Sequence, residues 1–301
     1  MTLRVLDPGL HTLIVDYGRP GSRSLGVAVG GAADRFALSI GNALVGNRPN
    51  TPALEISLAG PTVEAECDLA CAVYGAPFVL SSNRQKLVTG TTFTLHSGEV
   101  FSMGGTAKGM RAYLCVRGGI ESLQILGSFS ALEPLTANTV LRCVSNTIGH
   151  RFVHGKWLWN ADPTTLRVVE GPQAGWFNEE QFYQQVFTVT PNSNRMALRT
   201  HGEPLKLPER ELESEPVCPG SVQVTRDGQC IILGVDGQTI GGYPKIAQVI
   251  SADLDKLGQL RPDDHIRFVC VTLADAESLY REKLRELDEW LTRLRVAERF
   301  S

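Results

Sequence analysis

Several nucleotide- and metal-binding patterns are missing from this chain, and each gap removes a class of function. There is no Walker A sequence and no G-x-G-x-x-G, so the chain is not expected to bind ATP or a dinucleotide itself. The seven cysteines, Cys67, Cys71, Cys115, Cys143, Cys218, Cys230 and Cys270, include no C-x-x-C pair, which argues against a zinc ribbon or a thioredoxin-type centre. H-E-x-x-H is absent. His150 and His154 lie four apart, but in a glycine-containing stretch that does not favour a helix presenting both, so no metal site is expected. No G-x-S-x-G elbow surrounds Ser22, Ser24 or Ser128. Lys plus Arg is 29 and Asp plus Glu is 32, so 29 − 32 = −3, which leaves no basic footprint for nucleic acid. No run approaches the roughly 20 apolar residues of a membrane span. The opening Met1-Thr2-Leu3-Arg4-Val5-Leu6-Asp7-Pro8-Gly9 breaks too early for a secretion signal. The odd cysteine count and apolar settings such as Ala70-Cys71-Ala72-Val73 and Phe268-Val269-Cys270-Val271 suggest small buried hydrophobes in a reducing compartment. A soluble, cytoplasmic protein with no membrane and no nucleic-acid partner is the expectation.

What remains is a chain of 301 residues, 43% apolar and 20% charged, long enough for about two domains. Thirty glycines and 16 prolines predict many turns and disfavour a helical bundle. Short strands are predicted at Leu3–Leu6, His11–Val15, Ala53–Leu58, Leu69–Tyr74, Thr91–Leu95 and Arg111–Val116. Residues 144–165, with Gly149, Gly155, Trp157, Trp159 and Asp162-Pro163, read as a join between a β-rich half at 1–150 and another at 151–301. Strands resume at Leu166–Glu170, Val186–Thr190, Ser221–Val224, Cys230–Val235 and His265–Val271, with a Glu- and Pro-rich loop at 203–219. Two faint echoes link the halves. Gly60-Pro61 resembles Gly171-Pro172, and Ser97-Gly-Glu-Val-Phe before one strand resembles Pro262-Asp-Asp-His-Ile before another. Helical spacing of Phe36, Ile40, Ala43 and Leu44 predicts a helix over 34–46, with Asp34 as N-cap. Tyr280, Leu284, Leu287, Leu291 and Leu294 predict an amphipathic C-terminal helix, with Thr272 and Asp275 as its capping box.

The densest polar segment is Asp236-Gly-Gln-Thr-Ile-Gly-Gly-Tyr-Pro-Lys245, leaving the end of an apolar strand. Gly241 and Gly242 allow close backbone approach to a ligand. Gln238 and Thr239 offer donors and acceptors, and Asp236 suits the role of base or orienter. Asp236 and Lys245 are expected to pair across the turn, each favouring the other's charged form. Arg195 supplies a guanidinium fork suited to a carboxylate. A solvated hairpin and a surface ion pair are the plainer readings of the same residues.

Ordered short blocks run nearly end to end: Asp16-Tyr17-Gly18-Arg19-Pro20-Gly21, Ala53-Leu54-Glu55, Tyr74-Gly75-Ala76, Arg111-Ala112-Tyr113-Leu114, Leu126-Gly127-Ser128, Gly171-Pro172-Gln173, Ser214-Glu215-Pro216-Val217 and Gly241-Gly242-Tyr243-Pro244-Lys245. Together they resemble the biotin-dependent carboxyltransferase family, also called allophanate hydrolase subunit 2, which includes the C subunit of 5-oxoprolinase and KipA-like proteins. The resemblance implies a mainly β, cyclophilin-like barrel architecture and a companion subunit-1-like chain (KipI or the B subunit of 5-oxoprolinase), with a larger A subunit in the oxoprolinase case. It implies that no cofactor binds this chain: ATP is used by a partner chain, or biotin is carried on a partner if the reaction is carboxyl transfer. The implied activity is opening of a small lactam, 5-oxoproline to glutamate, with two alternatives. One is carboxyl transfer to urea or a related amide, and the other a non-catalytic regulatory role. Asp236, Lys245 and Tyr243 are the catalytic candidates. Gln238, Thr239, Gly241, Gly242, Arg195 and Asp34 are the substrate-binding candidates. The chain departs from the family pattern at Asn194, where the family has Asp, and at Gly237, Ile240 and Phe129, where it has Arg, Thr and Arg. A glycine loop normal to the family is missing between Leu132 and Val144.

Overall fold

The computed structural model describes residues 2–153, 164–210 and 212–298, with side chains to Val296. Gly155, Trp157, Trp159 and Asp162-Pro163 of the expected join, together with His154, lie outside the described residues. The chain divides into two compact units. The first comprises residues 1–18, 35–160 and 287–301, and the second residues 19–34 and 161–286.

The first unit contains β1 (Thr2–Asp7), β2 (His11–Val15), α1 (Arg35–Leu44), β3 (Ala53–Ser57), β4 (Thr62–Ala65), β5 (Leu69–Gly75), β6 (Phe78–Ser82), β7 (Thr92–Leu95), β8 (Val100–Thr106), β9 (Arg111–Val116) and β10 (Val140–Arg142). Two five-stranded sheets, β10-β1-β4-β8-β6 and β2-β3-β9-β5-β7, contribute to one core. Alternation decides which residues enter it. Leu3 and Val5 of β1 point inward while Arg4 and Leu6 are exposed. β5 is buried along its whole length, because α1 lies against it and β9, and so it reads as an unbroken apolar run. That close approach needs Gly41, where an added Cβ would fall 2.8 Å from Cys115 Sγ.

The second unit contains β11 (Thr165–Glu170), α2 (Glu179–Gln184), β12 (Phe187–Val189), β13 (Ala197–His201), β14 (Glu215–Pro216), β15 (Ser221–Val224), β16 (Cys230–Leu233), β17 (Ile240–Gly241), β18 (Lys245–Val249), α3 (Leu254–Leu257) and β19 (His265–Cys270). Seven strands close a barrel in the order β11-β18-β15-β16-β13-β12-β19, sealed by parallel pairing of β11 with β19. Closure removes free sheet edges. Leu166, Val168, Val222, Val224, Ile232 and Ile246 fill the interior with Phe182, Phe187 and Phe268. Phe182 stacks on Phe268 at 4.8 Å. The mainly β, barrel-containing architecture expected from the sequence is thus present, and the barrel itself is in the second unit. Within the expected loop 203–219, Glu215 and Pro216 form the short strand β14, which pairs with β17.

Helix α4 (Leu273–Glu298) closes the chain. Its capping box forms: the Asp275 N–H donates to Thr272 Oγ1 at 3.1 Å, and the threonine hydroxyl donates to Asp275 Oδ2 at 2.6 Å. The expected leucine stripe holds only at its far end. Leu291 and Leu294 are buried, while Tyr280 and Leu284 are exposed. Lys283 takes the packing side there, with Nζ 2.8 Å from the Ala252 carbonyl and 2.6 Å from Asp255 Oδ2. All seven cysteines are free. Cys71, Cys115, Cys143 and Cys230 are buried, and burial pushes the Cys143 and Cys230 thiols up to about 12. Cys270 departs from the expectation: it is exposed, as is Cys218.

Candidate functional site

All nine candidate residues lie in the second unit. The segment 236–245 leaves the barrel at the end of β16, forms β17 against β14, and re-enters the barrel as β18. Two polar groups flank this excursion.

The first group is built on Arg195 and Asp236. Arg195 Nε donates to Asp236 Oδ2 at 2.6 Å and Nη2 to Oδ1 at 3.1 Å, a two-point fork. Nη2 also reaches the Gly31 carbonyl at 2.7 Å. The Arg195 side chain is 9% exposed and that of Asp236 35%. Backbone bonds fix the frame: the Asp236 N–H donates to the Arg195 carbonyl at 3.2 Å, and the Gly30 N–H to the Val235 carbonyl at 2.9 Å. The Asn194 side-chain oxygen holds the turn that presents Arg195, accepting the N–H groups of Met196 at 2.9 Å and Ala197 at 3.2 Å. An amide oxygen accepts such bonds as a carboxylate oxygen does, so this departure from the family pattern preserves the turn. Buried Arg19 lies on the same side of Gly30 as Asp236: a Cβ there would stand 3.1 Å from Arg19 Nη1 and 3.7 Å from Asp236 Oδ1.

The second group is built on Lys245. Its Nζ meets Glu215 Oε1 at 3.1 Å and the Pro216 carbonyl at 3.0 Å. Gln173 spans both residues: Nε2 donates to Glu215 Oε1 at 2.9 Å, and Oε1 accepts the Lys245 N–H at 2.9 Å. The expected Asp236–Lys245 pair is therefore replaced by two separate ion pairs. Each charge found a nearer partner on a different segment, Arg195 before β13 and Glu215 on β14.

Between the groups, the Val217 N–H donates to the Thr239 carbonyl at 3.0 Å, and Glu215 stands opposite Gly241 in the β14–β17 register. Gly241 is a point of close approach. A Cβ there would sit 2.7 Å from Gln238 Nε2 and 2.8 Å from Gln223 Nε2. Gly242 borders Ser214, and the Tyr243 carbonyl accepts from Gln223 Nε2 at 3.2 Å. Arg23 Nη2 donates to the Gln238 carbonyl at 3.2 Å. The ninth candidate, Asp34, is buried and accepts a bond from Gln259 Nε2 at 2.7 Å.

Sequence reasoning missed Arg19, Arg23, Gln173, Glu215 and Gln223 as site residues. Arg19, Gln173 and Glu215 stood in the family blocks without a role. Gln223 had one available signal. It sits between Val222 and Val224, which face the barrel core, so alternation turns it to the outer face, yet it is fully buried there. Among the described residues, no group of three or more His, Cys, Asp or Glu side chains is arranged to hold a metal.

Comparison with known proteins bears on this geometry. The family described as carboxyltransferase domain, subdomain A and B, matches residues 25–270. The chain is 34% identical to the C subunit of 5-oxoprolinase from Escherichia coli, over 97% of this chain and 98% of that protein. It is 35% identical to the corresponding C subunit from Haemophilus influenzae, over 95% of this chain and 96% of the other. Among solved structures, K. lactis urea amidolyase superposes with a TM-score of 0.85 at 28% identity, covering 96% of this chain but 20% of that much longer one.

Proposed function

The chain belongs to the carboxyltransferase domain family, subdomains A and B, and from that premise we propose that it is the C subunit of an ATP-dependent 5-oxoprolinase. The complex opens the lactam of 5-oxoproline to glutamate. The observation carrying this reading is reciprocal coverage: the chain and the bacterial C subunits match over almost the whole of both, whereas the urea amidolyase shares only a fifth of its length. Such relatives are named as one component of an assembly or are part of a longer chain, and this chain accordingly works with other components. The partners proposed are a companion resembling the B subunit and a larger A subunit, in the cytoplasm. Among the described residues, no helix is long and apolar enough to cross a membrane.

Opening the lactam breaks its C–N bond, with water supplying the hydroxyl to the carbonyl carbon and the proton to nitrogen. ATP, used by a partner chain, supplies the driving force. This chain contributes a fixed polar surface. Arg195 locks Asp236 in place, so the carboxylate is held for orienting a donor or accepting a proton. Lys245, held by Glu215 and Pro216, offers positive charge where an oxyanion develops. Gln238 and Thr239, on the more exposed edge between them, hold the small polar ligand. Carboxyl transfer from a partner's biotin to urea or a related amide is the second reading, favoured by the family description and the urea amidolyase likeness.

The test is reconstitution of the chain with its companion subunits. Expected is ATP hydrolysis that depends on 5-oxoproline and on every component, with none from this chain alone. Gln238→Ala and Thr239→Ala should abolish that activity at nearly unchanged melting temperature. Urea-dependent turnover of a carboxybiotinyl partner, with no response to 5-oxoproline, would establish the second reading instead. Assembly with no turnover of either substrate would mark a regulatory binding partner.

A further inference from the structure

We infer that Gln223 reads the ring N–H of the lactam and that Arg23 receives the carboxylate of the same molecule, an assignment that rests on the 5-oxoprolinase reading. Gln223 is fully buried on the outer face of β15. Its amide orientation is set by Nε2, which donates to the Tyr243 carbonyl. The opposite orientation would set two acceptors against each other. Gln223 Oε1 is thereby left buried with no hydrogen-bond partner. A buried acceptor without a donor is costly, and native structures rarely retain one without a reason.

The surroundings say what kind of donor fits. The Gln223 and Gln238 carboxamides converge on the bare α-carbon of Gly241, where no side chain can intrude. Arg23 is tied to the backbone of that same residue, Gln238, through Nη2, while its Nη1 is buried and unpartnered. One unpaired acceptor and one unpaired cationic donor thus flank a single segment. A ligand satisfying both carries an N–H and an anion, and a lactam carboxylate has its ring nitrogen and carboxylate on one carbon. Urea, with N–H groups and no anion, would satisfy Gln223 alone.

The experiment uses the assembled complex and reads 5-oxoproline-dependent ATP hydrolysis. Its probes are the isosteric lactone, 5-oxotetrahydrofuran-2-carboxylate, which lacks the N–H, and 2-pyrrolidinone, which lacks the carboxylate, both as competitive inhibitors. In the wild type, the lactone should bind at least tenfold more weakly than 5-oxoproline. Gln223→Met should raise KM for 5-oxoproline at least tenfold while leaving the lactone's inhibition constant unchanged, so that discrimination collapses. A merely structural role for Gln223 would weaken both ligands together. Arg23→Met should weaken 5-oxoproline and leave 2-pyrrolidinone unaffected. If the wild type binds lactam and lactone equally, the assignment is overturned without a variant having to fold. A wild-type complex silent towards 5-oxoproline overturns the functional reading, and this assignment with it, whereas an active complex with no discrimination overturns the assignment alone.

Discussion

The turn before β8 in the first unit and the turn before β19 in the second are the same construction in different residues. In the first, the Gly98 N–H donates to the Ala65 carbonyl, the Glu99 N–H to the His96 carbonyl, and the Ala65 N–H to the Glu99 carbonyl. In the second, Asp263, Asp264 and Val189 make the corresponding bonds to Val189, Arg261 and Asp264. Even the acidic side chain repeats: Glu99 Oε2 accepts the His96 N–H at 2.9 Å, and Asp264 Oδ2 accepts the Arg261 N–H at 2.8 Å. The two Gly-Pro corners are a looser echo. Gly60 bonds to Met103 on β8, but Gly171 bonds to Ile246 on β18, which does not correspond to β8 in the turn alignment. A shared hydrogen-bond frame supports a common plan for the two units. A shared glycine reports only that two backbones come close.

Two buried carboxylates, one in each unit, are held in different ways, and they give the largest expected effects. Asp253 is fully buried and held by Arg167 and Lys256. Asp16 is buried among neutral donors only: Ser128 Oγ at 2.5 Å, Ser130 Oγ at 2.6 Å, and the N–H groups of Phe129 and Gly18, each at 2.8 Å. Burial alone would raise both carboxyls, but these hydrogen bonds, and for Asp253 the two cations, bring both below the usual carboxylate range. Asp253→Ala should cost about 3 kcal/mol, the low end for a broken buried pair, because Arg167 is partly exposed and can regain water. Asp16→Ala should cost about 1–3 kcal/mol for donors left unsatisfied. Melting curves of both variants measure the difference. Folded-state values below the unfolded ones mean stability that is present above the ordinary carboxylate value of about 4 and lost as pH falls through the depressed folded values. The wild-type melting temperature should therefore hold from neutral to about pH 5 and drop below about pH 4. Asp253→Asn should flatten that drop. An unchanged acid slope in Asp253→Asn would remove this residue from the account.

The corners come next. A methyl group on Gly171 would stand 2.2 Å from the Lys245 carbonyl oxygen, and one on Gly60 would stand 2.5 Å from Met103 Cβ. Both alanine variants should lose about 1–3 kcal/mol from forced repacking. They should differ in function. The Lys245 carbonyl accepts the Gln173 N–H at 3.1 Å, so Gly171→Ala disturbs the bridge that seats Lys245 and Glu215. Turnover of the assembled complex should fall further in Gly171→Ala than in Gly60→Ala at equal thermal stability. Equal losses would mean that the Lys245 group is not part of the working site.

How much of this was visible beforehand followed from how local the cause is. His11–Val15, Arg111–Val116 and Ser221–Val224 were read with their observed bounds, because apolar content and a flanking turn define them within the strand itself. β8 ends in Gly104-Gly105-Thr106 and β18 begins immediately after Pro244, residues that read as loop and become strand only through pairing partners far away in sequence. The polar segment 236–245 was legible as a concentration of chemistry. Its pairings were not, since Asp236 reaches back 41 residues to Arg195 and Lys245 reaches back 30 to Glu215. The exposure of Tyr280 and Leu284 was equally hidden, because the Lys283 contact that defines the packing side depends on Asp255.

The smallest effect tests the turn alignment most directly. Gly98 and Asp263 occupy the corresponding place with φ of 75° and 71°, in the left-handed region that glycine enters without strain and aspartate tolerates at a cost. Exchanging the residue types should therefore move stability in opposite directions. Gly98→Asp should destabilise by a few tenths of a kcal/mol: a Cβ there meets nothing nearer than the flexible end of Arg84 at 3.7 Å, and the backbone strain of about 1 kcal/mol is partly offset by the lower entropy of the unfolded chain. Asp263→Gly relieves that strain but gives back part of the gain, because glycine raises the entropy of the unfolded chain by an amount worth about 0.4–1 kcal/mol. The net result should be a gain of a few tenths of a kcal/mol. Neither change touches the acidic cap, Glu99 or Asp264; removing Glu99, which is buried and also accepts from Ser82 and Gln85, should cost more than removing the half-buried Asp264. Opposite signs from the exchange, read as shifts in melting temperature, would establish that the two turns obey one backbone requirement. A loss from both substitutions would mean that the Asp263 side chain has a role of its own and that the alignment ends at the backbone.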